Sequence, residues 1–236
     1  MTEKIFYQDA YIKTCESKVT QVNELGVQLD RSIFYPVGGG QPGDTGLLRN
    51  ESGFEVIVSD TVPGVGSEGC LHLTSGDPSP FVVGDIVTAE LNWNNRYLHM
   101  RMHSALHLLC SVIDGGVTGG SVGAEKGRLD FDLPDTNLDK EEIEKKLNRL
   151  VEEDRNINSR WITEEELDSN VDLVRTMSVK PPREGGKVRL IEIEGVDLQA
   201  CGGTHVGSSR EIGKLRIGKI ENKGRHNRRI NLHFAD

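Results

Sequence analysis

The stretch WNNRYLHMRMHSALHLLCSVI, Trp93 to Ile113, decides how the chain divides. From Asn94 onward, Leu98, Met102, Ala105, Leu106, Leu109 and Val112 recur with a period of roughly 3.6 residues, which predicts an amphipathic helix over Asn94–Ile113. Residues 1–92 show no long helical period. There Val19, Val27, Leu29, Ile33, Phe54, Val56, Val58, Leu71, Leu73, Val82, Val83, Ile86, Val87 and Leu91 sit in short runs. Turn residues separate them at Gly38–Gly40, Gly64–Gly69, Gly76–Pro80 and Gly84–Asp85, so the segment reads as a small barrel or sandwich. Past the helix, Ile143, Leu147, Leu150, Val151 and Ile157 form a second helical stripe, capped at Thr136 or Asn137 and running to about Ser159. A strand with Val188, Leu190, Ile191 and Ile193 follows a Pro181–Gly186 turn. Another holds Leu215, Ile217 and Ile220, and Asn222–Lys223–Gly224 turns into a last one with Ile230, Leu232 and Phe234. The expectation is an α+β protein: a small β-barrel-like N-terminal domain at 1–92, then an α+β domain at 93–236 with helices packed on an antiparallel sheet.

The chain has 236 residues, 36% hydrophobic and 28% charged, as in ordinary globular proteins. No apolar run is long enough to span a membrane, and the first 25 residues hold no signal-peptide core. Cys15, Cys70, Cys110 and Cys201 have no regular spacing, which fits a reducing cytoplasm better than a disulfide framework. Net charge is −9, yet Val206–Asp236 holds eight Lys or Arg against three Asp or Glu. A locally basic end on an acidic chain suits RNA at one face, or is a solvated hairpin.

His103 and His107 stand four residues apart on the predicted helix, so their rings project from one face, where two imidazoles can share a metal ion. His99 extends the row, and spacing alone leaves open which two bind. Such a pair is more often structural, but a second one follows: Cys201–Gly202–Gly203–Thr204–His205 sets a thiolate and an imidazole four apart around two glycines. Cysteine and histidine together suit Zn²⁺, and the expectation is one ion per chain. Ser104 occupies the position where zinc peptidases carry a glutamate base, so a peptidase is excluded. The glycine-rich stretch Phe34–Gly46 lacks the Gly-Lys-Ser/Thr ending of a P-loop and reads as a β-turn whose backbone could approach a ligand.

The two metal motifs, Glu211–Ile212–Gly213 through Arg228–Arg229–Ile230, and Arg128–Leu129–Asp130–Phe131 resemble the editing domain of alanyl-tRNA synthetase. With the Gly38–Gly46 stretch, nearly the whole chain resembles its freestanding relatives, the AlaX family in its medium-length form. The resemblance implies hydrolysis of a wrong amino acid, usually serine with glycine as an alternative, from tRNA for alanine, in trans and without an ATP site. It implies that His103, His107, Cys201 and His205 are the zinc residues, with three or four binding at once. Ser104 would contact the substrate side chain, with Thr204 a second candidate for catalysis, and Gly39, Gly40, Gln41 and Asp44 would line the substrate cleft. Lys214, Arg216, Lys219, Lys223, Arg225, Arg228 and Arg229 would meet tRNA phosphates. The competing readings are a zinc-stabilised RNA-binding module without catalysis and a zinc hydrolase of a small aminoacyl substrate.

Overall fold

The computed structural model describes residues 2–64, 69–133, 138–170, 173–176 and 183–235. The chain forms two compact units, one of residues 1–38 and 42–97, the other of residues 39–41 and 98–236.

In the first unit, strands β1 (Thr14–Asn23), β2 (Gly26–Leu29), β3 (Gly46–Asn50), β4 (Glu55–Pro63), β5 (Cys70–Ser75) and β6 (Ile86–Leu91) close into an antiparallel barrel in the order β1-β2-β5-β4-β3-β6. Alternation drives closure: in β6 every second residue (Val87, Ala89, Leu91) is buried and the others face water. Their inner side chains meet Val19, Val27, Leu29, Phe34, Leu48, Val56 and Val58 in one core. His72 sits inside, wholly buried, its Nδ1 2.9 Å from the Val27 carbonyl and its Nε2 2.8 Å from Ser32 Oγ. Val82 and Val83, expected in a strand, are exposed on a turn instead. Asp85 accepts from the Val82 amide, and Gly84 supplies φ 104°. The Gly64–Gly69 turn lies partly outside the described residues.

The long helix, α1 (Trp93–Val112), matches its expected span within a residue at each end. It is not one-sided, however. Arg96, His99, Met100, Met102 through Cys110 and Ile113 are all buried. The second unit adds two antiparallel sheets. One runs β12 (Leu215–Asn222), β13 (Asn227–Phe234), β8 (Lys126–Asp132), β7 (Gly116–Ser121). The other sets β10 (Lys187–Ile193) between β9 (Ile157–Thr163) and β11 (Asp197–Ala200).

Helix α2 (Lys140–Glu152) buries Ile143, Leu147 and Val151. It also covers a sheet edge that would otherwise expose backbone. Asn148 accepts from the Leu215 amide and donates to its carbonyl, both at 2.9 Å, and Glu144 accepts from the Ile217 amide at 2.8 Å. Its cap is Asp139, whose carboxylate takes the Glu141 and Glu142 amides; Thr136 and Asn137 lie outside the described residues. The helix stops before Ser159, because Asp154 turns to φ 54° and Ile157 begins β9. A short helix, α3 (Glu164–Asp168), starts on a capping box of Thr163 with Glu166. The Pro181–Gly186 turn lies partly outside the described residues. All four cysteines are free, and among the described residues no helix is long and apolar enough to cross a membrane.

Candidate metal centre

His103 and His107 project from α1, and Cys201 and His205 from the loop that leaves β11. One donor atom from each of the four lies within 4.8 Å of all the others. The histidines and Thr204 are buried, and Cys201 is partly exposed. His99, one turn earlier on α1, is buried but outside the group.

Two of the imidazoles are held by their far nitrogens: His103 Nδ1 lies 2.8 Å from Gln41 Oε1 and His205 Nδ1 3.1 Å from Ser104 Oγ. His107 Nδ1 lies 3.4 Å from the Asp197 carboxylate without a hydrogen bond to it. The Gln41 oxygen can only accept, so it keeps a proton on His103 Nδ1 and leaves Nε2 to face Cys201, the arrangement that orients metal-binding histidines. Cys201 Sγ stands 3.5 Å from His103 Nε2 and 3.4 Å from His205 Nε2, and it accepts the Gly203 amide at 3.3 Å. Burial works to raise the Cys201 thiol, but the pull of His103, His205 and His107 outweighs it and holds the group well below its ordinary range. For His107, burial opposes charge, while Cys201 and Asp197 raise it to about 9. Burial and the neighbouring His103 hold His205 well below its usual range. Cys110, one turn past His107, is pushed by burial and by Asp197 to about 12, so it stays a thiol and outside the donor set.

The partners around these rings are themselves held. Gln41 is fully buried: its Oε1 also accepts the Thr204 amide at 3.1 Å, and its Nε2 donates to Thr204 Oγ1 at 2.9 Å. Gly39 and Gly40, at φ 56° and 82°, form the turn that presents it. Gln199 Nε2 donates to Asp197 Oδ2 at 2.6 Å. Arg189 braces the glycine loop from β10, donating to the Gly203 carbonyl at 2.8 Å and the Cys201 carbonyl at 3.3 Å. A methyl group at Gly203 would stand 2.1 Å from His103 Cε1, so only glycine lets the loop pass this close. Asp197, Gln199 and Arg189 escaped sequence reasoning, because they reach the cluster through strand pairing and carry no local spacing.

Of the other expected site residues, Ser104 adjoins the cluster, whereas Asp44 and the basic residues do not join it. Ser104 is fully buried, with its oxygen facing His205 and accepting the Val206 amide at 3.2 Å. Asp44 belongs to the barrel unit, where its carboxylate grips the buried Arg96 guanidinium and accepts the Tyr35 amide. Arg228 is buried and ties the hairpin turn through Asn222, Gly224 and Asn227, and Arg229 pairs with Asp130 at 2.7 and 2.9 Å. Lys214, Arg216, Lys219, Lys223 and Arg225 are exposed, although Lys219 and Lys223 both lie near Glu221. Arg216, His233 and Lys126 stand in one cross-strand row of β12, β13 and β8. Burial together with Arg216, Lys126 and Lys140 holds the His233 ring below its ordinary range.

The chain thus combines a closed barrel unit with an α+β unit whose helix and glycine loop bring three histidines and a thiolate to one point, a candidate metal centre. Residues 188–231 match the family described as threonyl and alanyl tRNA synthetase second additional domain, and residues 3–95 match tRNA synthetases class II (A). The chain is 36% identical to the alanyl-tRNA editing protein AlaX-M of Methanosarcina acetivorans over 100% of both chains. It is 33% identical to that of Saccharolobus solfataricus over 98% of each. An alanine–tRNA ligase of Saccharolobus islandicus is 34% identical over 93% of this chain but only 25% of its own length. The chain belongs to the AlaX-M family of alanyl-tRNA editing proteins.

Proposed function

We propose that this protein is a cytoplasmic trans-editing deacylase that hydrolyses serine from wrongly charged alanine tRNA, with one zinc ion held by His103, His107, Cys201 and His205. The observation that carries the reading is the convergence of four donors, with the His103 and His205 rings hydrogen-bonded through their far nitrogens. Three nitrogens and a sulfur suit Zn²⁺ better than harder cations, which favour oxygen. The names of the relatives that match over the whole chain, alanyl-tRNA editing proteins, support the substrate. Glycine on the same tRNA is a second substrate in this reading.

With one coordination position left open to solvent or substrate, a zinc ion held there would supply a Lewis acid for the ester carbonyl and would bring the pKa of a bound water toward ~7. The chain's own residues set position and choice. Gln41 and Arg189 lock the loop that carries Cys201 and His205. Ser104, whose oxygen faces His205 and the Val206 amide, positions His205. Thr204 accepts from Gln41 and keeps its own hydroxyl proton to offer a serine side chain. A buried group that hydrogen-bonds the substrate hydroxyl rejects the analogue lacking it by up to ~10⁴-fold. Among the described residues no carboxylate joins the donor set, so the vicinal ribose hydroxyl is the proposed relay: it would take a proton from the attacking water while passing its own to the departing ribose oxygen. The tRNA phosphates meet Lys126, Lys214, Arg216, Lys219, Lys223 and Arg225, exposed on the second unit.

The test is single-turnover deacylation of Ser-tRNA and Ala-tRNA on the same alanine tRNA, before and after chelation. Serine should leave at least ~100-fold faster than alanine, and chelation should abolish both reactions while the fold persists. Equal rates would remove the editing role, and unfolding on chelation would make the metal structural.

A further inference from the structure

Strand register aligns an exposed aromatic ring with the metal loop. Trp161 on β9 pairs directly with Arg189 on β10. On the other side of Arg189, Leu190 pairs with Ala200, and the next amide, that of Cys201, donates to the Arg189 carbonyl at 3.0 Å. Cys201, at the start of the loop that leaves β11, thus stands in one row with Arg189 on β10 and Trp161 on β9, Trp161 being two strand spacings, roughly 10 Å, from the Cys201 backbone.

Paired residues share a face of the sheet. The face that carries Arg189 also carries Ile191 and Ile193, whose partners are Gln199 and Asp197. Asp197 reaches His107 and Arg189 reaches the Gly203 carbonyl, so this face looks toward the cluster. Ile162, Val188 and Leu190 fill the opposite face with Leu167. Arg189 is 6% exposed, whereas Trp161 is 41% exposed. The site face therefore ends in an accessible indole.

We infer that Trp161 is a stacking platform for the 3′-terminal base of the charged tRNA. The ester and that base hang on one ribose, so an ester at the cluster leaves its base one sugar away, within reach of a side chain in the next row. An indole stacks on any base through its π-face, which fits a terminal nucleotide that is held and not read.

This inference rests on the aminoacyl-tRNA reading above, and its test separates the two. In a Trp93→Phe background Trp161 is the sole indole emitter, since the chain has two tryptophans. Titration with the trinucleotide CCA should quench its fluorescence, and CC ending in an abasic riboside should not. Trp161→Ala should raise KM for charged tRNA by about 5- to 150-fold, the range of one lost base stack, with zinc content unchanged; Trp161→Phe should recover most of it. Quenching by CCA without hydrolysis of any charged tRNA would keep the platform and discard the deacylase. Hydrolysis with an unchanged KM in Trp161→Ala, or equal quenching by the abasic probe, would discard the platform.

Discussion

Substituting Gly203 by alanine tests how closely the cluster is built, because the new methyl lands on the His103 ring and on Gln41 Oε1, 2.9 Å away. Gly203→Ala should cut zinc content by at least half in elemental analysis of the purified protein. Ser104→Ala should lower metal affinity about 10-fold through His205, in line with loss of a group that orients a ligand. Full zinc occupancy in both variants would show that neither residue shapes the site. Local spacing made both pairs visible in the sequence, one as a helical turn and one as a glycine loop, while the choice of His103 and His107 over His99 came from the resemblance. Gln41 was expected in the substrate cleft, through the resemblance, and not as a partner of His103. Its amide does its work on His103 and Thr204, residues far along the chain.

At the scale of elements, β5 and β2 are joined around a histidine that burial pushes down to about 4, against a Val27 hydrogen bond that raises it. The neutral ring is what the barrel accommodates. As pH falls below about 6.5 the unfolded chain takes up a proton that the folded chain refuses, so stability is full above that value and drains away toward pH 4. Urea denaturation should report a loss of about 2–3 kcal/mol between pH 7.5 and 4.5, and His72→Gln should flatten that dependence. An unchanged pH slope in His72→Gln would place the acid sensitivity elsewhere. The outer face of the β12-β13-β8 sheet is read differently. Arg216 and Lys126 flank His233 and have no carboxylate partner among the described residues, whereas Arg228 ties the hairpin turn and Arg229 pairs with Asp130 on β8. Arg216→Glu with Lys126→Glu should weaken tRNA binding and lower the salt slope by about one for each phosphate no longer neutralised. A slope equal to that of the parent would leave this face out of the interface. Periodicity located most elements correctly. It erred where apolar residues kept a helical stripe past Asp154, a non-glycine at positive φ that ends the helix without the usual glycine signal. It also read α1 as one-sided, because its polar residues (histidines, Ser104 and Arg96) are buried for chemical reasons that hydropathy does not register.

At the scale of the whole molecule, the six-stranded barrel and the α+β unit follow from a change of period near Trp93, and that much was legible. The membership of Gln41 was not, since no pattern announces that three residues within the barrel's stretch of sequence belong to the other unit. Gly39–Gln41 is part of the second unit while residues on both sides of it belong to the first. The modules are therefore not separable by a single cut in the gene. A fragment beginning at Trp93 keeps all four donors yet leaves behind the amide that holds His103 and Thr204. Shuffling this unit onto another protein would thus transfer the donor set without its tuning. In such a lineage, the three-residue excursion would have to travel with it or be reinvented.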